Sequence, residues 1–143
     1  KACKSCGHSP QHLTSNLQQT TMELTEFRFQ KFKVYQDAKR LHALTIKTVG
    51  GFPQSHYYLA DQLKRASLSI PLNIAEGSGK RSDTDFNRYL KNALGSVHEV
   101  VAGFDIAHTE KLIPLSVLTE ITGLALEVRN QLGGLSKKLM LHN

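Results

Sequence analysis

A chain of 143 residues is most simply one domain, long enough to bury a single core of useful size. Its hydrophobic share of 40% and charged share of 21% are ordinary for a soluble globular protein and exclude wholesale disorder. No apolar run approaches the roughly 18–20 residues of a membrane-spanning helix. The polar start from Lys1 to Pro10 also lacks the apolar stretch of a signal peptide, so a cytoplasmic location is expected. A formal charge of +6 favours an anionic partner, for which nucleic acid is the commonest choice in a small basic domain.

Residues 1–24 are rich in Ser, Thr, Gln and His without a sustained period, and they read as a flexible extension ahead of a bundle over 25–143. Met22, followed by Glu23-Leu24-Thr25-Glu26, has the look of a natural start. Both cysteines, Cys3 and Cys6, lie in this leader and cannot staple a core, which fits a reducing compartment. Their C-x-x-C spacing, with Gly7, His8 and His12 behind it, suits a small zinc knuckle. A structural zinc site normally closes with a second ligand pair held at a distance by folded structure, so no metal is expected.

From Phe29 the pattern changes. Phe32, Tyr35, Ala38 and Leu41 recur at helical spacing until Gly50-Gly51 and Phe52-Pro53 end the first helix and turn the chain. A second helix is predicted from Gln54 or Ser55. Its stripe is Leu59, Leu63, Ala66, Ile70, Ile74 and Gly77. Pro71 lies inside that stripe and removes one backbone donor, so a kink is expected, with Ser67 and Ser69 satisfying backbone groups nearby. Gly77 to Arg81 is read as the break. Ser82 then caps a third helix, with Asp85 three residues on. Phe86, Leu90, Ala93, Val97, Val100, Phe104 and Ala107 alternate steps of four and three along it, a heptad seam. Lys111 to Pro114 makes the next turn. The fourth helix carries Leu118, Ile121, Ala125, Val128, Leu132, Leu135 and Leu139, weakened late by Gly133-Gly134 at roughly 1 kcal/mol per glycine. With no strand-like alternation and short connections, the expected fold is all-α: an up-down-up-down antiparallel four-helix bundle.

Catalytic constellations are missing from this pattern. His42, His56, His98, His108 and His142 share no metal-ligand spacing with carboxylates, and no Glu-x-x-His pair of the di-iron kind occurs. Arg88 precedes His98 by ten residues, which points the two to different helix faces. Gly77 and Gly79 form a turn between helices and not a phosphate loop. The expectation is a non-enzymatic protein with no cofactor. Basic residues are better placed: Lys64, Arg65, Lys80, Arg81, Arg88 and Lys91 are the candidate phosphate contacts, part of them forming one patch that nearby Asp83 and Asp85 partly neutralise. Glu76, among apolar neighbours, is expected to accept hydrogen bonds or to pair with Arg65 or another arginine, within the chain or across a subunit contact.

Gln62, Arg65, Ala66, Ser69, Ile70, Asn73, Ile74, Ala75, Glu76 and Gly77 follow the pattern Q-x-x-R-A-x-x-S-I-x-x-N-I-A-E-G. On these residues the chain resembles the four-helix-bundle proteins encoded in intervening sequences of bacterial 23S ribosomal RNA genes. The likeness extends to Phe32 through Ala38, to Phe52-Pro53, and to Phe86 through Leu90 with Ala93, Gly95, Ser96 and Glu99, covering most of Phe29 to Leu139. It implies a subunit of a ring-shaped homopentamer, ribosome-associated by family name. A related branch, the accessory variability determinants of diversity-generating retroelements, binds reverse transcriptase and nucleic acid through a basic surface. Arg65, Ser69, Pro71, Asn73, Glu76 and Gly77 stand as the structural motif. The function expected is a non-enzymatic RNA-binding or ribosome-associated homo-oligomer; the alternative is a scaffold ring for a protein partner such as a reverse transcriptase.

Overall fold

The computed structural model describes residues 27–142. The leader over 1–24, with Cys3, Cys6, His8, His12 and Met22, lies outside the described residues. Four helices account for nearly all of the rest: α1 (Lys33–Val49), α2 (Tyr57–Ser78), α3 (Asp83–Thr109) and α4 (Leu115–Leu141). Short 3-10 turns, Arg28–Lys31 and Gln54–His56, precede α1 and α2. Each helix packs against the next, α4 closes back onto α1, and the diagonal pairs stay apart. That is the antiparallel bundle the periodicities predict, and no strand occurs among the described residues.

The apolar stripes turn inward as their spacing requires. All six stripe positions of α2 and all seven of the α3 seam are buried. On α4, Ile121, Ala125, Val128 and Leu132 are buried, and Leu118, Leu135 and Leu139 pack half-buried against them. Burial at roughly 1.5–3 kcal/mol per large side chain makes this core the dominant stabilising term.

Local chemistry explains where the helices start and stop. The Ser82 hydroxyl accepts from the Asp85 amide at 3.1 Å, capping α3 as expected. At the other end of α3, Lys111 takes the left-handed conformation (φ 62°), and Leu112 N–H reaches the Ala107 carbonyl at 2.9 Å. This Schellman closure, made here without glycine, turns the chain into α4. Before α1, Arg28 donates to the Ser78 carbonyl at 3.0 Å and lies over the rings of Phe32 and Phe86, which ties the entering chain to the α2–α3 turn.

One sequence expectation is corrected by the packing. The helix does not break at Gly77: α2 continues through Ser78, and Gly79 is the residue after it. Gly77 is buried where α3 crosses; a Cβ there would stand 2.7 Å from Phe86 Cδ2 and 2.7 Å from Tyr89 Cβ. Its role is close helix approach, not termination. Gly133-Gly134, expected only to weaken α4, lie within a helix that runs to Leu141, with flanking Leu132 and Leu135 holding the segment on the core. Pro71 is accommodated inside an unbroken α2, where Ser67 and Ser69 donate to the carbonyls of Lys64 and Ala66 as anticipated.

Buried polar ties fix the helix register. Ser67, wholly buried, meets His42 Nδ1 at 2.8 Å between α2 and α1. The Ser67 hydroxyl also lies 3.1 Å from the Lys64 carbonyl, so one side chain links the His42 ring to the α2 backbone. Burial pushes the His42 pKa below its ordinary value of 6.5. Folding therefore favours the neutral ring: its contribution is present above the unfolded value and is lost as pH falls through the folded one. Urea unfolding at pH 7 and pH 5 should show a lower midpoint at pH 5, and His42→Gln should shrink that difference. A difference that His42→Gln leaves intact would assign it to another group.

Candidate nucleic-acid interface

The register of α2 against α3 decides which basic residues meet. Ser69 and Ser96 hydroxyls bond each other, Gln62 donates to Glu99, and Gly77 abuts Phe86 and Tyr89. Lys80, Arg81, Arg88 and Lys91 consequently gather at the α2–α3 end of the bundle, all exposed. Tyr89 lies among them. Lys80 Nζ stands 5.0 Å from its ring centroid, and Arg88, Tyr89, Lys91 and Asn92 line one shallow concavity.

Lys64 and Arg65 do not join this group. Fifteen residues separate Arg65 from Lys80 along α2, about 22 Å at 1.5 Å per residue. Lys64 borders a different recess, towards α1, with Val49, Tyr57 and Asp61. The six candidate residues thus divide into a cluster of four and two outliers.

Carboxylates trim the cluster only in part. Arg88 pairs with Asp85 at 3.0 Å, both well exposed, so the pair contributes little to stability and leaves the guanidinium accessible. Lys80, Arg81 and Lys91 form no ion pair among the described residues. Glu76 is exposed and accepts a long hydrogen bond (3.4 Å) from the Tyr89 hydroxyl. It does not pair with Arg65, which lies eleven residues back on the same helix, about 16 Å away. Of the two expectations for Glu76, hydrogen-bond acceptance is therefore the one realised, and the intrachain pair with an arginine is absent among the described residues. Solvation makes it unnecessary, since the carboxylate is not buried.

Lys137 and Lys138 belong to the same end and escape a sequence reading. Ser136 on α4 donates to the Asn87 side chain on α3, which places Lys137 level with Arg88. A basic pair in a last helical turn is common as a response to the helix dipole, so spacing alone does not single it out. Arg28 completes the basic rim from the other side, held over Phe86. Among the described residues no group of three or more His, Cys, Asp and Glu could hold a metal ion, and no helix is long and apolar enough to cross a membrane.

The class defined by this geometry is a four-helix bundle whose cations concentrate at one end. The family model described as 23S rRNA-intervening sequence protein matches residues 30–134, and the chain belongs to that family. No curated protein matches the chain.

Proposed function

We propose that the protein binds RNA electrostatically through the basic end of the bundle, without catalysis, and that it works as a homo-oligomer. The observation that carries the reading is the convergence of Lys80, Arg88 and Lys91 around Tyr89, with exposed Arg81 next to Lys80 in the α2–α3 turn and Lys137 and Lys138 at the same end of the bundle. The α2–α3 turn and the first turns of α3 supply four of these cations and the last turns of α4 the other two, so it is the fold that joins Lys137 and Lys138 to the group. Such a surface holds phosphates by charge and reads little sequence. The family name supports RNA as the polyanion, and the pentameric ring that the resemblance implies would repeat the surface around an axis.

The test is RNA binding by the purified chain across a salt series. Four phosphate contacts give a slope of log K against log salt of about −3, at 0.7–0.9 per contact. Lys80→Ala, Arg81→Ala and Arg88→Ala together should reduce the slope to about −1 and weaken binding at least ~10-fold. Lys64→Ala should change neither. Absence of binding at low salt by the folded protein would overturn the RNA reading and turn attention to a protein partner such as a reverse transcriptase.

A further inference from the structure

Two unpartnered surfaces on opposite sides of the bundle match each other in shape and charge. The first is the outer stripe of α2. Arg65, Leu68, Leu72 and Glu76 follow steps of three, four and four, so they share one face, and all are exposed. Leu68 is 43% and Leu72 56% accessible, while the charges bracket the leucines. The second is a groove of about 410 Å³ between α3 and α4, floored by Val101, Ala102, Leu118 and Leu126 and bounded by Asp105 and Arg129.

The spacings agree. Asp105 lies four residues before the end of α3 at Thr109, and Arg129 fourteen residues after the start of α4 at Leu115. In an antiparallel pair that separates them by ten residues of rise, about 15 Å. Arg65 and Glu76 are eleven residues apart, about 16 Å. The sense agrees too: going from Arg65 to Glu76 follows α2 in the direction that runs from Asp105 to Arg129 along α4. None of the four charges forms an ion pair among the described residues; Arg129 contacts only its neighbour Asn130, and Glu76 only Tyr89.

We propose that the α3–α4 groove receives the α2 face of a second copy of this chain, with Leu68 and Leu72 seated in the groove, Arg65 meeting Asp105 and Glu76 meeting Arg129. The occupant is a copy of the chain because one molecule carries both halves with matching charge order and length. Different patches meet, so the contact is head-to-tail, the kind that builds rings or filaments and leaves no partner face idle in a closed ring. It also assigns Arg65 and Glu76, which find no ion-pair partner among the described residues. The proposal rests on the homo-oligomer part of the proposed function and not on RNA binding.

The experiment is the solution mass of the full chain by light scattering, across concentrations reaching about 100 µM, with helix content checked by circular dichroism. Leu72→Glu should lower the mass towards monomer while helix content stays unchanged, since the side chain is exposed. Arg65→Glu alone should weaken assembly at least ~10-fold, and adding Asp105→Arg should restore it, a rescue that generic destabilisation cannot give. A chain monomeric at every concentration overturns both this interface and the homo-oligomer reading. An oligomer indifferent to Leu72→Glu and Arg65→Glu overturns the interface alone. Neither outcome depends on RNA affinity.

Discussion

Replacing Gly77 by Ala should destabilise the bundle by about 2 kcal/mol net, whereas Gly133→Ala should stabilise it by about 0.5–1 kcal/mol. Both glycines lie inside helices, so alanine brings the same gain in helix propensity at each. Surroundings decide the sign. At Gly133 an added methyl meets nothing within 4 Å. At Gly77 it would meet Phe86 Cδ2 and Tyr89 Cβ at 2.7 Å, and Tyr89 Cβ cannot move without moving α3. Phe86 is buried and stacked with Phe32, so its ring has nowhere to go either. Separating α2 from α3 would also disturb the cluster around Tyr89, so Gly77→Ala should weaken the proposed RNA binding where Gly133→Ala leaves it alone. Chemical denaturation of the two variants beside the parent checks the pair, and a stabilised Gly77→Ala would show that the helix contact is looser than its geometry indicates.

Asp37→Ala should cost about 2–3 kcal/mol, because Asp37 joins α1 to α4 from a buried position. It is 4% accessible. Its carboxylate accepts from Lys33 Nζ and Gln131 Nε2, each at 2.7 Å, and from Arg40 Nη1 at 3.0 Å. The exposed ends of Lys33 and Arg40 return to water on truncation, but the half-buried Gln131 amide loses its acceptor. The Lys33 hydrogen bond, followed by that of Gln131, holds the Asp37 pKa below its ordinary value of 3.8. A carboxylate with a depressed folded value contributes stability above its unfolded pKa and loses it as pH falls through the folded one. Acid unfolding of the parent below pH 4 should therefore be steeper than that of Asp37→Asn. Equal acid profiles would mean that other carboxylates carry the acid sensitivity.

Much of this molecule was legible as local pattern. Steps of three and four along α2, α3 and α4 marked the buried faces, since helix geometry maps that spacing onto one side whatever the helix packs against. Ser82 was legible as a cap because its partner, Asp85, is only three residues away. The family motif was legible as well, and its polar members Gln62 and Ser69 turn out to line the α2–α3 seam, where Gln62 meets Glu99 and Ser69 meets Ser96, while Asn73 donates to the Ser69 carbonyl within α2.

What spacing could not supply is whatever depends on two distant segments at once. Gln131 reaches Asp37 across 94 residues, and Ser136 reaches Asn87 across 49. Nothing in either neighbourhood announces its partner. For the same reason Gly77 read as a helix break: glycine weakens helices intrinsically, and only the approach of Phe86 and Tyr89 shows that its small size serves the packing. The basic surface followed the same division. The sequence by itself determined that there are cations to spare, whereas the antiparallel register of α2, α3 and α4 decided that Lys80, Arg81, Arg88 and Lys91 stand together with Lys137, and that Lys64 and Arg65 stand apart. Periodicity is written one turn at a time; a surface exists only once the helices have chosen their neighbours.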